Sequence, residues 1–174
     1  MPATYTLIAS NTLSSSAASV SFSAIPNTFT DLILRMSMRI STTGDSKDNV
    51  YVWFNGSSAA SYSLTRVRGD GSTASSSRAA AGTYSLTGLT DRAGATANTF
   101  GSAELYIPNY TASTNKPSSL TTVSENNATE AYIEAAAGLW SNTAAITSIA
   151  IYGDYSGNQF VSGSSFFLYG IKNS

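Results

Sequence analysis

TDLILRMSMRI, Thr30 to Ile40, alternates with a period of two. Leu32, Leu34, Met36, Met38 and Ile40 fall on one side, while Asp31, Arg35, Ser37 and Arg39 fall with Ile33 on the other. Successive side chains of a strand point to opposite faces, so the run reads as a half-buried strand with an apolar inner face. A helix would space its apolar residues by three and four, and this run does not. The next tract, Val50-Tyr51-Val52-Trp53-Phe54, is β-branched and aromatic and stops at Asn55-Gly56, a dipeptide that tolerates the positive φ angles of tight turns. Tyr62 and Leu64 then alternate through Ser61 to Val67, which predicts a hairpin from about 50 to 67.

The same reading places strands at 5–9, 19–25, 84–89, 100–107, 118–124, 131–138, 146–152 and 165–171, separated by turn signals such as Gly69-Asp70-Gly71, Pro108-Asn109 and Asn126-Asn127. Thr129 to Ala137 carries a helical alternative, because Glu130 and Glu134 stand four apart in an alanine-rich stretch; Tyr132-Ile133 and Leu139-Trp140 favour a strand. About ten short strands and no convincing helix predict an all-β chain, an antiparallel β-sandwich of jelly-roll type. The 174 residues fit a single domain, 1–174. The Ser-, Ala- and Gly-rich segments 10–19 and 70–82 hold nothing to pack and are expected to be low-complexity loops.

Composition narrows the chemistry. The chain has no histidine and no cysteine, which removes the usual general base, the thiolate nucleophile, disulfides and the commonest metal ligands. Charged residues are 11%, against roughly 25% in ordinary globular proteins, and net charge is −1, so neither nucleic acid nor an anionic membrane has an electrostatic reason to bind. No apolar run approaches a membrane span, and the start shows no secretory pattern.

Motifs that survive are few. Arg68-Gly69-Asp70 spells an adhesion tripeptide, but Gly-Asp-Gly is what a tight turn requires. Asn55, Asn109 and Asn127 open glycosylation patterns that read better as turns. Asp45 to Asp48 and Asp154 to Asn158 lack the ligand density of a calcium loop. Glycoside hydrolysis needs only two carboxyl groups, and Glu104, Glu125, Glu130 and Glu134 are the pool, with no spacing that marks an acid and nucleophile pair. The expectation is no enzyme, no catalytic residues, no metal and no cofactor. Trp53, Tyr106, Tyr110 and Trp140 are the candidate exposed aromatics for stacking on sugars or peptides. Arg66, Arg68, Arg78 and Arg92 form a basic excess opposite the acidic stretch Glu104 to Glu134, and are the candidate interface residues. Only three lysines and four prolines are available to protect sheet edges, so covering by other subunits is expected.

The tracts FTDLILRMSMR (29–39), VYVWFNGSSAASYSLTRVRGDGS (50–72), NTFGSAELYIPNYTASTNKPSSLTTVSENN (98–127), AAGLWSNTAAITSIAIY (136–152) and FVSGSSFFLYGIK (160–172) together resemble a β-sandwich of tailed-bacteriophage virion proteins, of the cyanophage and marine-phage type. The resemblance implies a virion structural protein, made in the host cytoplasm and located in the virion. It is shared by capsid decoration (cement) proteins and tail-fibre modules. A module that fills the chain, with no shaft or adaptor segment, favours a decoration protein on the capsid surface. The expected partners are then the major capsid protein and the chain itself, as a homotrimer. The alternative is a receptor-binding module that recognises a host surface glycan or protein.

Overall fold

The structure, a computed structural model, describes residues 4–44, 47–84, 87–125, 127, 131–153 and 157–172. The chain is all-β, with strands β1 (Tyr5–Thr12), β2 (Ser19–Phe22), β3 (Asp31–Ile40), β4 (Lys47–Phe54), β5 (Tyr62–Gly69), β6 (Ala74–Gly82), β7 (Thr87–Arg92), β8 (Gly101–Ile107), β9 (Lys116–Ser124), β10 (Tyr132–Trp140), β11 (Ile149–Gly153) and β12 (Ser165–Ile171).

A long antiparallel sheet runs β1-β12-β3-β8-β9-β10-β5-β6, and a short one runs β2-β11-β4-β7. They join where Arg39 and Ile40, at the end of β3, pair in parallel with Asp91 and Arg92 of β7. Four pairings are nested: β1 with β12, β2 with β11, β3 with β8 and β4 with β7. That is a long hairpin folded back on itself within one mixed sheet of twelve strands. Two hairpins interrupt it, β5–β6 between β4 and β7 and β9–β10 between β8 and β11, and both widen the long sheet.

Leu32, Leu34, Met36, Met38 and Ile40 are at most 4% exposed, so the period-two register of β3 holds. Their face meets β4 and β11 through Val50, Val52, Phe54, Ile149 and Ile151. Phe54, Tyr62 and Trp140 pack with ring centroids 5.7 to 6.2 Å apart, which ties β4 of one layer to β5 and β10 of the other. The tract 129–137 resolves as strand from Tyr132 onward; Glu130 lies outside the described residues.

Three expectations change. Asn55 and Gly56 do take positive φ, 52° and 65°, but β4 does not pair with β5. Beyond the turn the chain crosses to the long sheet, where Tyr62 and Leu64 find Trp140 and Gly138 as cross-strand neighbours. The tract 70–82 is not a loop: after a turn at 70–73 it is β6, made a strand by pairing with β5 rather than by apolar content. At 10–19 the chain is also partly ordered, since β1 runs to Thr12 and Ala17 bridges to Phe160. Finally, Asp31 and Arg39 are buried although they share the polar face of β3. Arg39 sits where β3 leaves the long sheet. Its guanidinium donates to the carbonyls of Ala93, Ala95, Thr96 and Thr99, holding that loop against the end of β3.

Candidate functional site

The arginines do not form one patch. Arg66 and Arg68 stand on the inner face of β5, opposite Ala136 and Glu134 of β10. Arg68 Nε and Nη2 donate to Glu134 Oε2 at 2.9 and 2.6 Å, and Arg66 Nη1 lies 3.7 Å from the same oxygen. The basic and acidic excesses therefore meet inside one chain. Glu134 is 1% exposed, so its charge is matched where water cannot reach it. Lys47 donates to the Tyr132 hydroxyl beside this pair and lies 3.8 Å from the Tyr132 ring centroid. Arg92 Nε is 3.5 Å from Asp48 Oδ2, which also accepts from Asn158 Nδ2 at 2.8 Å. Arg78 differs. Its cross-strand partner is Thr65, on the outer face, and it is exposed with no ion-pair partner among the described residues.

Arg68-Gly69-Asp70 runs from the end of β5 into the turn at 70–73. Arg68 is committed to Glu134, and Asp70 Oδ1 accepts from Ser72 N, Thr73 N and Ser72 Oγ. Those backbone donors hold the Asp70 carboxyl below its usual pKa. Asn55, Asn109 and Asn127 all adopt positive φ, the turn conformation; Ala128 and Thr129 lie outside the described residues. Glu104 pairs with Arg35 on the outer face at 2.8 Å, whereas Glu134 faces inward, so these two cannot flank a sugar bond. Glu125 Oε1 accepts from Asn127 N. Asp45, Ser46 and Asp154 to Ser156 lie outside the described residues. Among the described ones, no three acidic side chains gather as a metal site.

Two of the four aromatics are not exposed. Trp140 is 1% exposed between Phe54 and Tyr62, and Tyr110 is fully buried with its hydroxyl donating to Pro26 O. Parity explains Trp140, since Glu134, Ala136, Gly138 and Trp140 all fall on the inner face of β10. Tyr106 is half-buried and donates to Asp31 Oδ2 at 2.9 Å; burial, then the Asp31 carboxylate, raise its pKa. Trp53 is half-buried on the outer face of the short sheet, its ring 4.4 Å from that of Tyr152. With Tyr51, Ala18 and Asn158 they line a cleft of about 220 Å³. Tyr51 is legible as the alternate neighbour of Trp53, but Tyr152 comes from a cross-strand pairing that local spacing does not contain.

Sequence reading also misses an exposed apolar strip on the long sheet: Val67 and Ile133 are each 57% exposed, with Val123 beside them. Among the described residues no helix is long and apolar enough to cross a membrane. Comparison with family models, curated proteins and solved structures gives no match.

Proposed function

We propose that this chain is a structural protein of a tailed-bacteriophage virion, mounted on the capsid surface where it clamps neighbouring capsid subunits. The observation that carries the reading is the outer face of the long sheet. Its cross-strand rows run Ser37-Ser102-Val123-Ile133 and Arg35-Glu104-Thr121-Ala135-Val67-Ser76. Short hydroxyl and methyl groups dominate, one ion pair interrupts them, and Val67 and Ile133 stand exposed. Depletion of charge and exposed apolar groups are marks of a protein-binding surface, and short side chains lose little rotamer freedom on contact. Eight strands at about 4.8 Å spacing give a plane roughly 35 Å wide, enough for a standard interface.

The test is occupancy. Val67→Asp with Ile133→Asp leaves the fold intact, because both residues are already in water, and lowers the copies bound to purified capsids at least tenfold. Density for the chain on the tail of the intact particle, or full occupancy by the double variant, overturns the reading. A second reading rests on the Trp53 cleft: indole and phenol faces around about 220 Å³ suit a sugar ring. Binding of host polysaccharide that Trp53→Ala abolishes would move the protein to the receptor-binding class.

A further inference from the structure

The edges of the two sheets are protected unequally. β1 carries a register shift between Leu7 and Ala9, and β2 has only four residues; bulges and short length are both ways of blunting an edge. β6 has neither. Residues 74–81 are exposed on both sides of the strand, and its pairing with β5 is regular from Ala74 to Ala79. It contains no lysine and no proline, only Ala, Ser, Gly and Arg78.

Which amides point away from β5 follows from the turn. Asp70 N donates to Thr73 O, which makes Asp70 and Thr73 the hydrogen-bonded pair that closes the hairpin. Such pairs alternate along an antiparallel ladder, so Arg68/Ser75 and Arg66/Ser77 bond to each other. Ala74, Ser76 and Arg78 then aim their N–H and C=O groups outward. We propose that β6 pairs antiparallel with β6 of a second copy about a two-fold axis at Ser76, joining two long sheets edge to edge.

Charge selects that register. An axis at Arg78 would set two guanidinium groups against each other, and one at Ala74 would leave little overlap. The axis at Ser76 sets Ala74 opposite the partner's Arg78. Each Arg78, exposed and without an acidic partner among the described residues, then lies beside the partner's 70–73 turn, where the Asp70 carboxylate is partly exposed. The contact is isologous, so it closes at two copies. A two-fold pair thereby replaces the homotrimer expected from the decoration role. The inference does not depend on the capsid reading, since it concerns the purified chain alone.

Sedimentation of the whole chain in the micromolar range should give twice 18.1 kDa. Ser76→Pro removes a central outward N–H while sparing the bonds to β5, and should return the mass to one chain with unchanged circular dichroism. Arg78→Glu should weaken the pair at least tenfold. The chain has no cysteine, so Ser76→Cys reports the axis even if the proline variant fails to fold. Hydrogen-bonded partners have Cα atoms about 5.5 Å apart, within disulfide range, and mild oxidation should cross-link this variant but not Arg78→Cys. A wild-type mass of one chain or of three, an undiminished pair in a folded Ser76→Pro variant, or equal cross-linking of both cysteine variants would overturn the proposal.

Discussion

At Gly88 the absence of a side chain decides how closely β7 lies on β9. A Cβ there would come within 2.5 Å of Thr122 Cγ2 and 3.0 Å of a Leu120 methyl. Gly88→Ala should therefore destabilise by about 1–3 kcal/mol, the usual range for overpacking. Thr122→Ser removes the clashing methyl but keeps the hydroxyl that accepts from Leu89 N, so the double variant should recover most of the loss. Thermal melting of the four-member cycle measures it; additive losses would mean that the strain lies elsewhere. Arg39 makes a second residue-scale case. Its fork reaches four carbonyls of the 93–99 loop, and lysine offers fewer donors in the wrong geometry. Arg39→Lys should cost about 2–3 kcal/mol and expose that loop to proteolysis first.

At the scale of elements, the β5–β6 hairpin is held at its tip by Asp70. The folded carboxyl is shifted down by the amides of Ser72 and Thr73, so its contribution is present above pH 3.8 and is lost as pH falls through the lower folded value. The Ser72 and Thr73 amide resonances should titrate with a midpoint below 3.8, and Asp70→Ala should abolish that titration. Period-two reading reaches β3 and β9 because their inner residues are large or their alternation is strict. It does not reach β6, where Ala and Ser carry no contrast between faces and the partner strand imposes the conformation. The same limit governs the candidate residues. Arg68 and Glu134 are readable as opposite charges, but that they meet requires knowing that β5 lies beside β10. A turn signal such as Asn55-Gly56 is equally incomplete, because it reverses the chain without saying which sheet comes next.

For the whole molecule, alkaline conditions are the natural probe. Burial raises the pKa of Tyr62, Tyr106 and Tyr110, so the neutral phenols are favoured by the fold. Their contribution is complete below the ordinary value of 10.0 and is lost as pH rises through the higher folded values. Lys116 acts in the opposite sense. It is buried among the carbonyls of Ala112 and Thr114, its pKa is lowered, and its cost fades as pH approaches 10.5. Stability should hold or rise toward pH 10 and then fall, with the ring resonances of Tyr62, Tyr106 and Tyr110 showing ionisation only in step with loss of β signal; ionisation of these three well ahead of unfolding would contradict the burial. The nested pairing has a further consequence, in time. β1 cannot find its partner until β12 has been synthesised, since Tyr5 pairs with Ile171 and Thr12 with Ser165. At about 5–20 residues per second, the ribosome leaves β1 waiting for roughly ten seconds or more. During that interval Leu7 and the backbone around it are open to any passing strand. Production of this chain should therefore depend on chaperone supply and growth temperature more steeply than the stability of the finished fold would indicate.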